Sequence, residues 1–320
     1  MSVITQIKKA FSRQDDGFVS GIALRQQSIA SCSIEIAKLS GDYSDDSNEP
    51  EASGSNLSKA CEESSFDLGE HVNALDQLGD SNAIKGKCGL VLPASLSQIV
   101  QVDKPNVPDA EINAALKWQV KDLVSFSPDN MVLDYFDAPE SPQGQKKINV
   151  VCSPLDELKK LVDSSFDNDI NLTDITIEEF AFAKLVEIKD NATLLVCQQP
   201  NEEIVILIVT QGRLFFHRRL RGFAQIAQKS QEELEMGTID SLSLEIQRST
   251  DYFERQMKQA PIKEISILVP MENEAFLARK LAENTNVPVS LFELPKPYTS
   301  QRRSACSIGA MLIANEGSAA

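Results

Sequence analysis

Two histidines, His71 and His217, and six cysteines, at 32, 61, 88, 152, 197 and 306, are the side chains best suited to nucleophilic, acid–base or metal chemistry. Their spacing supports none of it. The cysteines form no CxxC pair and no metal-ligand spacing, and His71 has no second histidine or cysteine four residues on. No GxSxG, Walker A, HExxH or GxGxxG run occurs. His71, within FDLGEHVNALDQLG (66–79), reads as a surface residue of a helical segment. His217 lies in the basic cluster FFHRRLR (215–221), which reads as a solvated strand face, or more sharply as a contact for an acidic segment. The expectation is no catalytic residue and no metal site. Scattered cysteines fit a reducing compartment better than a disulfide framework.

Composition narrows the class further. The chain has 320 residues, 42% of them hydrophobic, which allows real cores in two domains or in one with an embedded subdomain. A formal net charge of −16 argues against nucleic acid, whose phosphates such a surface repels. No apolar run is long enough to span a membrane. MSVITQIKKAF (1–11) is too short and polar for a secretory signal; a short amphipathic helix, packed on the body or weakly touching a membrane surface, is expected there. Residues 41–64 hold seven acids, one lysine and few large apolar side chains, so a disordered acidic loop is expected.

The elements that must position any site follow from periodicity. FVSGIAL and SIASCSIEIA form a hairpin around Arg25-Gln26-Gln27. CGLVLP (88–93) is a buried strand ended by proline. Residues 98–178 run strand, helix, strand, strand, helix, strand, an α+β subdomain with a breaker-rich PESPQGQ turn. The first of those helices begins at Asp109, as N-cap, and ends near Ser125; Ile112, Leu116, Val120 and Leu123 share its apolar face, and Trp118 lies off it. Beyond residue 179 come a strand meander (192–220), helices near 229–236 and 240–258, strand EISILVP (264–270), strand PVSLFEL (288–294) and a helix in CSIGAMLIA (306–314). Hairpin or meander, helical section and a strand closing on proline recur in both halves, the footprint of a duplicated domain.

Trp118, Leu123, Phe126, Pro128 and Val132-Leu133-Asp134-Tyr135 resemble the "W…IPF…DY" signature of the PilM family, cytoplasmic actin-like proteins of type IV pilus assembly. Within that family the chain is most similar to the branch serving the mannose-sensitive haemagglutinin (MSHA) pilus. The resemblance implies an α/β actin-like fold of the FtsA and PilM type: a first half over 1–97, an inserted subdomain over 98–178 and a second half over 179–320. It implies a cytoplasmic protein recruited to the inner membrane, holding the N-terminal tail of a PilN-like bitopic membrane protein beside other platform components. Trp118, Leu123 and Phe126 are the partner-binding candidates.

Actin-like ATPases hold nucleotide phosphates on two hairpin turns, where glycine admits backbone amides and an acid orients hydrated magnesium. PilM relatives read Gly-Ile-Asp-Ile-Gly-Ser at the first turn. Here Gly21-Ile22-Ala23-Leu24-Arg25-Gln26 puts Ala23 in place of the acid and Arg25 in place of the glycine. The second turn, expected as Asp-x-Gly, falls at Val196-Cys197-Gln198, and the adenosine-side Gly-Gly falls near Pro270-Met271-Glu272. The resemblance therefore implies a pseudo-ATPase scaffold with no cofactor; ATP and magnesium enter only through the family. The rival expectations are an ATP-binding actin-like ATPase with unorthodox motifs and a filament-forming protein without nucleotide control.

Overall fold

The computed structural model describes residues 17–39, 61–139 and 146–317. The N-terminal amphipathic segment, positions 41–60 of the acidic loop and most of the PESPQGQ turn lie outside them. The chain divides into two compact units.

Among the described residues, the first unit comprises those up to Pro93, Lys160–Leu185 and those from Glu293 onward. Its sheet has the order β3-β2-β1-β4-β8. Strands β1 (Phe18–Leu24) and β2 (Ser28–Glu35) form the expected hairpin, in register from Phe18↔Glu35 to Leu24↔Ile29. β3 (Cys61–Ser65) continues it antiparallel. β4 (Lys87–Leu92) and β8 (Asn171–Ile177) extend the other side in parallel. β4 is almost wholly apolar because it is an interior parallel strand, buried on both faces. Helix α1 (His71–Asp80) leads into β4.

The second unit comprises Ala94–Lys159 and Val186–Phe292. It holds a small sheet, β5-β7-β6, built from β5 (Gln98–Asp103), β6 (Met131–Asp137) and β7 (Lys147–Pro154). Helix α2 (Asp109–Gln119) sets Ile112 and Leu116 into its core beside Val102, Met131, Ile148 and Val150. The larger sheet has the order β11-β10-β9-β12-β13. Its strands are β9 (Thr193–Cys197), β10 (Ile204–Thr210), β11 (Arg213–Leu220), β12 (Glu264–Leu268) and β13 (Val289–Leu291). Neighbours run antiparallel, antiparallel, parallel, parallel, the same order and sense as in the first unit. The duplication inferred from the recurring pattern is thus present at the level of topology. Leu242 and Ile246 of α5 (Ile239–Asp251), Phe253 beyond it and Leu277 of α6 (Glu274–Glu283) close one core on this sheet.

Several expected boundaries move. β8 and the end of α3 (Leu155–Asp167) belong with the first sheet, so the insertion stops near residue 159 and not at 178. β4 needs a second parallel neighbour, and β8 supplies it. Helices α4 (Glu178–Leu185) and α7 (Ala305–Glu316), given to the second half by sequence order, also lie in the first unit. α7 is apolar on nearly every side and buried, and it crosses β1 and β4. Two register partners make room for it: a Cβ on Gly21 would stand 1.9 Å from the Ser307 carbonyl oxygen, and one on Gly89 2.4 Å from that of Ala310. Residues 61–64, expected within the disordered loop, are strand β3. Helix α2 starts at Asp109 with Pro108 at the cap position, and ends at Gln119 rather than near Ser125. Leu123 therefore leaves the helical phase and is exposed, while Ile112, Leu116 and Val120 stay buried.

Candidate functional site

The turn between β1 and β2 is the first place a ligand phosphate would be sought. Ala23 is buried in β1, opposite Ala30. Arg25 follows, and its side chain turns inward: it is 1% exposed. One guanidinium nitrogen, Nη1, donates to Glu63 Oε1 at 2.5 Å and to Ser28 Oγ at 3.3 Å. Nη2 donates to the Arg303 carbonyl at 2.5 Å. Arg303 returns from the chain's far end to grip the same carboxylate, with Nε and Nη2 each at 2.8 Å from Glu63. The turn backbone is held as well. Arg25 N donates to the Ser28 carbonyl, Phe66 N to the Gln27 carbonyl, and His71 Nε2 lies 3.1 Å from the Arg25 carbonyl.

Electrostatics agree with this geometry. Burial lowers the Arg25 pKa, with Glu63 pulling it back up. Burial pushes Glu63 up, but the Arg303 hydrogen bonds and the Arg25 charge outweigh it and hold the carboxyl below its usual range. A buried guanidinium without an anion would be strongly unfavourable, so Glu63 is what lets Arg25 sit there. Neither Glu63 nor Arg303 was found from the sequence. Glu63 fell in the acid-rich stretch, and its partners lie 38 and 240 positions away.

The β9–β10 turn is also filled by its own residues. Cys197 is buried, its thiol 3.4 Å from the Val205 carbonyl. Gln198 is buried, and its Nε2 donates to the carbonyls of Glu202 at 2.7 Å and Phe223 at 2.9 Å. Two acids that the sequence comparison passed over lie just beyond. Glu203 accepts from the backbone of Gly222 and Phe223, and Glu202 is buried. After β12, the turn at 270–273 is closed by Glu274, whose Oε1 accepts from Val269 N at 2.6 Å. At positions 23, 25, 197 and 198 no acid or glycine is present, and Arg25 and Gln198 both direct donors into their own unit.

The partner candidates separate. Trp118 is 67% exposed and Leu123 is 56% exposed, one on the last turn of α2 and the other just after it. Phe126 instead packs against the small-sheet core with Val120 and Met131. His71 is half-buried, not a free surface group, and its ring meets Phe66 edge-on at 5.4 Å. His217 is also half-buried; burial, with Arg219, pushes its pKa down to about 4. The solvated face expected of FFHRRLR is thus largely packed: Phe215 meets Phe253, Phe216 meets Tyr252 and Arg218 pairs with Glu245. Among the cysteines, burial pushes the Cys88 thiol up and Cys152 up to about 11, which makes both poor nucleophiles. Cys32 and Cys61, read as ordinary reduced cysteines, are joined in a disulfide, because β2 and β3 place them directly opposite each other. Among the described residues no group of three or more histidine, cysteine or acidic side chains could hold a metal ion. No described helix is long and apolar enough to cross a membrane.

The chain matches no family model and no curated protein. Among solved structures, a chain described as the PilM–PilN type IV pilus biogenesis complex aligns with 92% of this chain and 98% of its own, at 16% identity and a TM-score of 0.62. The fold is actin-like. Two others align less closely in shape: the cytoplasmic domain of EpsL, an inner-membrane component of the type II secretion system of Vibrio cholerae, and a Bacteroides thetaiotaomicron protein with an actin-like ATPase fold. EpsL covers 83% of this chain and 94% of its own at 11% identity, the other 96% and 99% at 10%, each with a TM-score of 0.46. In this actin-like chain the hairpins β1–β2 and β9–β10 are topological equivalents, and one side chain from each turn, Arg25 and Gln198, donates hydrogen bonds within its own unit.

Proposed function

We propose that this chain is a PilM-like scaffold of a type IV pilus assembly platform, of the MSHA branch to which MshI belongs. It works on the cytoplasmic face of the inner membrane, as a pseudo-ATPase that docks the N-terminal tail of a PilN-like membrane protein. The observation that carries this reading is the buried, hydrogen-bonded state of one side chain in each turn. Arg25 and Gln198 stand at the two positions where nucleotide chemistry needs small residues, and their donors are already engaged inside their own units. The frame around them aligns with nearly the full length of a chain from a PilM–PilN complex, which supports a PilN-like partner. Trp118 and Leu123 supply the apolar anchors such a tail needs, tryptophan being enriched at interface hot spots.

Trp118 is also the reporter, because it is the sole tryptophan. Titration with a synthetic tail peptide of the PilN-like protein should shift its emission to the blue and saturate. Trp118→Ala should remove capture of that protein while circular dichroism stays unchanged. Unaltered capture by Trp118→Ala and Leu123→Ala together would refute the assignment. Phe126→Asp is a poorer probe, since Phe126 is partly buried against the small-sheet core and a charge there would disturb that packing as well as any docking. Calorimetry with ATP and magnesium tests the enzymatic rival: micromolar binding would overturn the pseudo-ATPase reading. Sedimentation at rising protein concentration tests the filament rival.

A further inference from the structure

We propose that Cys32 and Cys61 are a reversible redox site, a latch whose closed form pins edge strand β3 and, through it, the carboxylate that neutralises Arg25. Cys32 of β2 and Cys61 at the start of β3 are register partners, with Cα atoms 4.2 Å apart and a separation of 29 positions in sequence. β3 is short and lies at the sheet's edge, and Cys61 is its one buried residue. Two residues on, on the same face of the strand, is Glu63, the shared anion of Arg25 and Arg303. Besides the backbone ladder, the disulfide and the Glu63 fork therefore tie β3 to its unit.

The surroundings suit both redox states. Cys32 Sγ lies 3.2 Å from Ser307 Oγ, and that hydroxyl already donates to the Ser304 carbonyl at 2.8 Å. Its oxygen lone pairs therefore stand ready to accept from the thiol that reduction creates at Cys32. The oxidised form needs no donor at that site. Cys61 is the less buried of the two residues, 9% exposed against 1% for Cys32, and it lies at the edge of the sheet with residues 62–65 exposed beside it.

The step balances with a dithiol reductant. A reductant thiolate attacks Cys61 Sγ; the disulfide bond breaks and Cys32 leaves as a thiolate that takes a proton. The reductant's second thiolate then displaces Cys61 from the mixed disulfide, Cys61 takes a proton and the reductant ends as its own disulfide. The protein gains two electrons and two protons. The reverse needs a small disulfide as oxidant.

The test uses the full chain, equilibrated with oxidised glutathione or with dithiothreitol. After denaturation and alkylation the oxidised sample should carry four labelled cysteines and the reduced sample all six, the additional pair mapping to Cys32 and Cys61. Amide hydrogen exchange over residues 61–65 should accelerate by about tenfold or more on reduction, because the cross-link that suppressed local opening is gone. Cys61→Ser should show the fast exchange in both buffers; if it fails to fold, the wild-type comparison decides alone. Six labelled cysteines in the oxidised sample, or equal exchange of residues 61–65 in the two buffers, would overturn the proposal.

Discussion

Replacing Glu63 by glutamine removes a charge and almost no volume, so it isolates what that carboxylate does for Arg25. Removing one partner of a fully buried ion pair costs about 3–5 kcal/mol. The cost here is smaller for two reasons visible in the structure. The Glu63 side chain is 25% exposed, so water screens part of the pairing. Arg25 also keeps its bond to the Arg303 carbonyl, and the glutamine amide oxygen still accepts from Nη1. About 2 kcal/mol of destabilisation is expected for Glu63→Gln. Arg25→Met removes the buried cation while filling the same space. In that background Glu63 faces only the exposed Arg303, and Glu63→Gln should cost about 0.5 kcal/mol, as for a surface pair. The coupling is then about 1.5 kcal/mol, measurable by urea unfolding of the four proteins followed by far-ultraviolet circular dichroism. An equal cost of Glu63→Gln in both backgrounds would refute the claim that this carboxylate exists to compensate Arg25.

Acid should weaken the protein through two groups. Glu63 has a depressed carboxyl pKa, so its contribution is full above the unfolded carboxylate value and is lost as pH falls through the folded one; Glu63→Gln should flatten unfolding midpoints measured below about pH 4.3. His217 is held neutral, with its pKa pushed down to about 4, so stability should decline as pH drops from about 6.5 towards 4, and His217→Phe should remove that part of the slope. Gly21→Ala should cost at least about 3 kcal/mol, since its methyl group meets backbone and not a movable side chain; expression of a folded protein with an unchanged melting temperature would contradict the packing of α7 on β1.

The amino-acid sequence alone determined most of the strands and the duplicated plan. Short, β-branched-rich apolar runs bounded by turn residues, such as FVSGIAL and IVILIV, favour strands, and the Ser127-Pro128 break bounds the segment after α2. It also showed that Ala23, Arg25, Cys197 and Gln198 replace the residues a phosphate cradle uses. Tertiary structure decided what those replacements do. The seat of Arg25 depends on Glu63 and on Arg303, drawn from opposite ends of the chain, and a local pattern holds no record of charges that meet only after folding. The same reason explains the displaced boundaries. β8 and α7 read as ordinary parts of the segments around them, but a buried parallel strand needs neighbours on both sides and an all-apolar helix needs a surface to cover it. Leu123 left the buried apolar face, and Phe126 came to pack against the small-sheet core, because α2 stops at Gln119, after which helical phase no longer says which way a side chain faces.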